Sequence, residues 1–390
     1  MQAISVLVVH NRYQQPGGED AVVRAEVESL RRGGHRVIQY TRDNAKIAGY
    51  NWLRKASLPF STTWNPTTYS DIRALLRSEG ADIAHVHNFF PLISPAAHYA
   101  CKSAGVPVVQ TLHNYRLFCP AATLFTNRAR CNQCSGTVAA AMRRGCYRDS
   151  RLQAATVSLM LAAHRLSGTW QRCVDAYLVP SKFCRDYFVA AGLPADKVHI
   201  KPNFLAQDPG RRARRGDYAL FLGRLSPEKG ILEMIEAWRE LPEVPLLIAG
   251  DGPLRERAQF AANQAKGKIR LLGQLGTKET MRSIQSARFV VFPSQWHEPF
   301  GMGLVEAAAC AVPAIASRVG AIPELVADHE TGLLFDPDNL QELVERVRWA
   351  WRHPAEMEHM GDAARQLYLQ NFTAEKGHAE LLRIYRTLLN

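Results

Sequence analysis

The stretch from Phe289 to Pro313 constrains this chain more than any other. It opens with Phe289-Val290-Val291-Phe292-Pro293-Ser294, an apolar run of strand length. A short loop with His297 and Glu298 follows, and then Gly301-Met302-Gly303 begins an apolar helix that contains Glu306. Among Leu304, Val305, Ala307, Ala308 and Ala309 a lone carboxylate is costly to bury without a partner, so Glu306 is expected to face a polar ligand. Two glycines at a helix start let backbone approach a ligand closely, and the free N–H groups and helix dipole there suit an anion such as phosphate. The plainer alternative is an ordinary strand-turn-helix of a core. A dinucleotide fingerprint fits worse, because Gly301-Met302-Gly303-Leu304-Val305-Glu306 puts Glu where the third glycine or alanine belongs.

Strand and helix patterns alternate on both sides of this stretch. In the first half, strands are expected at Ala3 to Val9, His35 to Tyr40, Asp82 to His87, Val106 to Leu112, Asp175 to Pro180 and Val198 to Pro202. Gly17 and Gly18 lie just before a helix running to Arg32. Such alternation predicts an α/β fold with a parallel, doubly wound sheet whose ligands gather beyond the strand C-termini, where His10, His87 and His113 fall. The segment Gln207 to Asp217, with Pro209, Gly210 and the arginines 211, 212, 214 and 215, reads as a solvated connection, after which the alternation restarts. The expected domains are therefore 1–206 and 207–372, with a terminal helix over 373–390. A length of 390 residues suits two domains of about 150–200 each.

The start of the chain lacks a basic leader, and no apolar run approaches the ~20 residues of a bilayer span, so a cytoplasmic protein is expected. A formal net charge of +12 invites nucleic acid or an anionic membrane face as a partner, and charge alone does not choose. Cys119-x11-Cys131-x2-Cys134-x11-Cys146, in an Arg-rich insertion with Gly136 and Gly145, suits tetrahedral zinc; unbound thiols and, behind them, an iron–sulfur cluster are the alternatives. The arginines 143, 144, 148, 151, 165 and 172 alternate with Val157, Leu159, Met160 and Leu161, a pattern that fits an anionic membrane surface or equally a packed helix with a solvated face.

Gly223-Arg224-Leu225-Ser226-Pro227-Glu228-Lys229-Gly230 leaves a strand and enters a helix with two cations that suit a departing nucleotide diphosphate. This segment, with Glu298-Pro299-Phe300-Gly301 and the spacing from Glu298 to Glu306, resembles family 4 of the retaining GT-B glycosyltransferases. The resemblance covers nearly the whole chain and is strongest from Tyr218 to Asp336. It implies two Rossmann-like domains facing each other across a cleft, the first on the acceptor side and the second holding the donor. Arg224 and Lys229 would stabilise the leaving phosphates without a metal, Glu298 would contact sugar hydroxyls, and Glu306 would hold the ribose. The amides of Phe300, Gly301, Met302, Gly303 and Leu304 would sit against sugar and phosphate, and Gly273, Gln274 and Leu275 beside the base. Gly17 and Gly18 resemble the glycines that approach the donor phosphates. His113 stands where similar enzymes have a histidine beside the reacting sugar, with Asn114 in place of the usual Asp.

The expected activity is transfer from a UDP- or GDP-sugar to a glycan or lipid-linked acceptor in cell-surface polysaccharide or glycolipid assembly. No cofactor is required for catalysis, and zinc at the cysteines would be structural. The competing readings are a non-catalytic sugar-nucleotide-binding or scaffold protein and, behind it, a nucleic-acid-binding protein, which lacks a recognised reading module.

Overall fold

The computed structural model describes residues 3–13, 17–134, 138–265 and 268–389. Gly136 of the cysteine insertion lies outside them. The chain divides into two compact units. The first comprises Met1–Leu124, Cys131–Ala206 and Ala374–Asn390; the second comprises Phe125–Arg130 and Gln207–Thr373.

The first unit holds a six-stranded parallel sheet of β1 (Ser5–Arg12), β2 (Arg36–Asp43), β3 (Ile83–Asn88), β4 (Val108–Thr111), β5 (Ala176–Val179) and β6 (Val198–Ile200), in the order β2-β1-β3-β4-β5-β6. Strands β1, β3, β4 and β5 are continuous apolar or buried runs, as a sheet covered on both faces requires. Helix α1 (Gly18–Arg32) follows β1. Its Val23, Val27 and Leu30 pack with Val6, Val8, Ile83, Val109 and Leu178. The same core takes Leu381, Leu382, Ile384 and Tyr385 from the last helix, Ala374–Leu389.

The second unit repeats the plan with β7 (Ala219–Leu222), β8 (Leu246–Ala249), β9 (Ile269–Gly273), β10 (Phe289–Phe292), β11 (Ala314–Ser317) and β12 (Gly332–Phe335). Their order is β9-β8-β7-β10-β11-β12, all parallel. This is a doubly wound sheet, and its strand order reverses between β7 and β10, where such sheets open a crevice beyond the strand C-termini. In the first unit the reversal lies between β1 and β3.

One expectation changes. Arg212 is buried rather than solvated: its guanidinium pairs with Glu358 at 2.9 Å and donates to the Ala287 carbonyl at 2.6 Å. A Pro/Gly/Arg-rich segment reads as solvated only while its long-range partners are out of view. On the helix Arg151–Leu166, Val157, Met160 and Leu161 are core residues, as the packed-helix alternative has it, while Leu159 alone of the four is exposed, in an apolar stripe with Leu152 and Leu166 spaced seven apart. The same helix packs against the helix Trp52–Thr63, which presents Trp52, Leu53 and Phe60 to solvent.

Candidate functional site

In the second unit the loops leaving β7 and β10 meet, because those strands are neighbours. The Gln295 amide donates to the Glu228 carbonyl at 2.8 Å. Gly230 has φ +68°, and a Cβ there would stand 2.0 Å from the Pro293 carbonyl oxygen, so no side chain fits at this approach. The closure brings Lys229 to Glu298: Nζ donates to Oε2 at 2.7 Å and to Oε1 at 3.0 Å. Oε2 also accepts from Ser294 Oγ at 2.9 Å and from the Trp296 indole N–H at 2.8 Å. Oε2 thus takes three donors and Oε1 one, so of the roughly four acceptor positions of a carboxylate one remains on Oε1. The Lys229 ammonium lies 5.3 Å from the Trp296 ring centre and 5.4 Å from that of Phe292. Behind it the Ala321 amide donates to the Glu298 carbonyl at 2.9 Å.

Helix α2 (Met302–Ala309) starts at Gly301 with no side-chain cap; the Leu304 amide donates to the Gly301 carbonyl at 3.0 Å, so the N–H groups available to an anion at this helix start are those of Met302 and Gly303. Leu304 is buried, and Met302 and Gly303 are half-buried. Phe300 is buried and points its ring edge-on to Phe372 at 5.8 Å, away from any role for that ring in holding a polar ligand. The carboxylate of Glu306, a half-buried residue in the second turn of α2, makes no hydrogen bond or ion pair among the described residues. Burial alone pushes its carboxyl up to about 7. Arg224, on the loop from β7, is exposed. Gly273 ends the edge strand β9, two strands out from β7; it accepts from the Gly250 amide at 2.8 Å, and Gln274 beside it is exposed while Leu275 is half-buried. The strands are parallel, so all of these groups stand at one edge of the sheet.

The first unit gathers a second set at its own reversal point. Gly17 and Gly18 start α1, where the Gly17 amide donates to Asp20 Oδ2 at 3.1 Å and Asp20 Oδ1 lies 2.8 Å from His10 Nε2. His113, just past β4, has its Nε2 3.0 Å from Nδ1 of His87 on β3. Burial, followed by neighbouring cationic and histidine side chains, holds both rings well below the usual imidazole range. Asn114 Nδ2 donates to the Tyr13 hydroxyl at 3.2 Å and to Glu19 Oε2 at 3.4 Å, and the Tyr13 hydroxyl donates to the same oxygen at 2.9 Å. Burial pushes the Glu19 carboxyl up to about 8. Sequence reasoning missed Glu19; an acidic residue in the first turn of a helix ordinarily reads as a dipole partner. Its signal was its place directly after a glycine pair.

Among the cysteines, the Cys134 thiol is pushed up to about 11, by burial first and then by the thiols of Cys119, Cys131 and Cys146, so each of those three lies within electrostatic reach of Cys134. Among the described residues, the group of metal-capable side chains whose ligand atoms all fall within 4.8 Å of each other is a different one: Glu26, His85 and His87. No helix of the described residues is long and apolar enough to cross a membrane.

Residues 16–206 match the family described as Glycosyltransferase Family 4, and residues 207–367 match Glycosyl transferases group 1. The chain is 33% identical over 161 residues to the D-rhamnosyltransferase WbpZ of Pseudomonas aeruginosa, covering 40% of this chain and 42% of that protein. It is 31% identical over 176 residues to the uncharacterized glycosyltransferase MJ1178 of Methanocaldococcus jannaschii, covering 44% and 49%. It thus spans about half the length, or less, of these relatives. Two solved structures share the fold at low identity. The sucrose-phosphate synthase of Thermosynechococcus elongatus has a TM-score of 0.76 at 18% identity, over 99% of both chains. HepE of Anabaena, solved with UDP and glucose, has a TM-score of 0.70 at 16% identity, over 98% of this chain and 99% of that one.

Proposed function

Because this chain belongs to the family 4 glycosyltransferases of GT-B fold, we propose that it moves a sugar from a nucleotide-diphosphate donor to a glycan or lipid-linked acceptor, with retention at the sugar carbon. The donor is a UDP- or GDP-sugar; HepE, of like fold, was solved with UDP and glucose. One observation carries the reading: the half-buried, partnerless carboxylate of Glu306 on a helix whose uncapped first turn shares a sheet edge with Lys229 and Arg224. A ribose supplies the hydroxyl donors that Glu306 lacks. A diphosphate supplies the acceptors for the helix N–H groups and the two cations.

In the reaction the bond from the sugar carbon to the departing phosphate breaks and the bond to the acceptor oxygen forms on the same face. The departing phosphate takes the acceptor's proton. Arg224 and Lys229 offset the charge that grows on the diphosphate. Glu298 has two roles. It holds Lys229 over Trp296 and Phe292, and it accepts from a sugar hydroxyl when Lys229 exchanges one of its two bonds for a phosphate oxygen. The family resemblance assigns Gly17 and Gly18 to the donor phosphates, Gly273, Gln274 and Leu275 to the base, and His113 to the reacting sugar.

The acceptor is presented at the cytoplasmic face of an anionic membrane. Leu152, Leu159 and Leu166, together with Trp52, Leu53 and Phe60, form exposed apolar stripes next to the exposed cations Arg54, Lys55, Arg143, Arg144, Arg148 and Arg151, the pairing that favours such a surface. Cys119, Cys131, Cys134 and Cys146 are assigned to a structural zinc on their sequence spacing and on the reach of the other three thiols to Cys134; no three of their sulfurs lie within 4.8 Å of one another, so the ion would draw them together on binding. A panel of UDP- and GDP-sugars, incubated with lipid-linked and free glycan acceptors, tests the reading through release of free nucleotide. One donor is expected to give acceptor-dependent release, and tight binding without release would leave a sugar-nucleotide-binding protein instead.

A further inference from the structure

Glu26, on α1 inside the first unit, is 1% exposed. Its Oε1 accepts from the ammonium of Lys201, which is buried as deeply. Its other oxygen, Oε2, has no hydrogen-bond partner and lies 3.6 Å from Nε2 of His87 and 3.7 Å from Nδ1 of His85. His85 is already satisfied at both nitrogens, by the Tyr385 hydroxyl at 2.7 Å and by Thr111 Oγ1 at 2.6 Å. His87 Nε2, like Glu26 Oε2, is a buried polar atom without a partner. The spacing of Glu26, His85 and His87 would admit a metal ion, but the ammonium on the same carboxylate and the hydroxyl on His85 already occupy two of the ligands. An uncompensated cation there would add charge to a buried site.

The other nitrogen of His87, Nδ1, is 3.0 Å from His113 Nε2, and the two ring planes differ by 17° with centroids 5.3 Å apart. The rings therefore meet nearly edge to edge, and one proton lies between the two nitrogens. Burial keeps His87 and His113 neutral, each with a single N–H. Two arrangements remain. If His87 donates to His113, its bare Nε2 lone pair faces the lone pairs of Glu26 Oε2. If His113 donates, the His87 proton sits on Nε2 and points at Glu26.

We propose that Glu26, anchored by Lys201, is a positioning residue that acts through His87 to hold His113 as its Nε2–H tautomer, with the Nδ1 lone pair free to accept. A hydroxyl-bearing sugar that reaches His113 then meets an acceptor and not a donor. That last consequence rests on the assignment of His113 to the sugar site; the tautomer itself does not.

The substitution Glu26→Gln separates this role from simple ion pairing. An ammonium donates and cannot accept, so Lys201 takes the amide oxygen of the new side chain and turns its NH2 toward His87. A donor then stands where the wild type has an acceptor, and the His87 proton must move to Nδ1. Nitrogen-15 NMR of labelled histidines at neutral pH reads the result directly. His113 is expected to carry its proton on Nε2 in the wild type and on Nδ1 in folded Glu26→Gln. A wild-type His113 protonated on Nδ1 overturns the proposal without recourse to any variant, and so does a folded Glu26→Gln protein whose His113 stays on Nε2. If the tautomer switches and turnover does not fall, the placement of His113 at the sugar fails while the relay stands.

Discussion

Replacing Glu306 by Gln should make the protein more stable above neutrality while removing its grip on a nucleotide. Burial alone raises this carboxyl from its ordinary 4.5 to about 7. Holding it ionised in the folded chain therefore costs at most about 3 kcal/mol. A carboxyl raised in this way contributes its full stability below pH 4.5, and the contribution is lost as pH climbs through 7. Gln has the same shape and never ionises. The two proteins should thus be about equally stable near pH 5, and the variant should lead by roughly 2–3 kcal/mol at pH 8. Urea unfolding at stepped pH measures the difference. Titration with UDP and GDP supplies the other half: the variant should bind neither, and the wild type should release a proton on binding near pH 7, because hydroxyl donors favour the charged carboxylate. A variant that is less stable at pH 8, or a stability gap that does not change with pH, would refute the idea that Glu306 is buried in wait for a ligand.

Lys229→Met should weaken binding of a nucleotide diphosphate about 10- to 100-fold, with an unchanged circular dichroism spectrum, since Ser294 and Trp296 still donate to Glu298. Gly377→Ala puts a Cβ 2.0 Å from Cδ1 of Phe204, which is fully buried and cannot yield. Overpacking of about 1–3 kcal/mol outweighs the gain of about 1 kcal/mol in helix propensity, so the midpoint of urea unfolding should fall. Replacing Arg143, Arg144, Arg148 and Arg151 together by Gln should lower binding to vesicles rich in anionic lipid, and unchanged sedimentation with vesicles would argue against the membrane reading. Elemental analysis of the purified protein should find about one zinc per chain, lost when Cys131 and Cys134 are both replaced by Ser.

What the sequence exposed and what it hid follow from the range of the interactions. The segment Phe289 to Glu306 was legible because strand, loop and helix are written in consecutive residues, and the isolated Glu306 stood out against alanines. The contact of Lys229 with Glu298 was not, because it joins positions 69 apart and depends on β7 and β10 being neighbours, which no local pattern encodes. Arg212 misled for the same reason: its partner Glu358 is 146 residues away. The helix Trp52–Thr63 went unread because Pro59 interrupts it and its largest apolar side chains point outward, so it shows no inward-facing stripe. Glu26 and Lys201 are 175 residues apart, so no local pattern marks either as the other's buried partner.

The path of the chain has a consequence for how the protein is made. The helix Ala374–Leu389 contributes Leu381, Leu382, Ile384 and Tyr385 to the same core as β1, and burying each of the four is worth about 1.5–3 kcal/mol, a sum comparable to the whole stability of a domain. During synthesis, the hydrophobic seat for those side chains emerges early and stays open until residues 207–373 have also left the ribosome. A truncated product that stops anywhere in that stretch would therefore carry a bare apolar trough on its earliest-made half, making it a natural client for chaperones and a ready target for proteases.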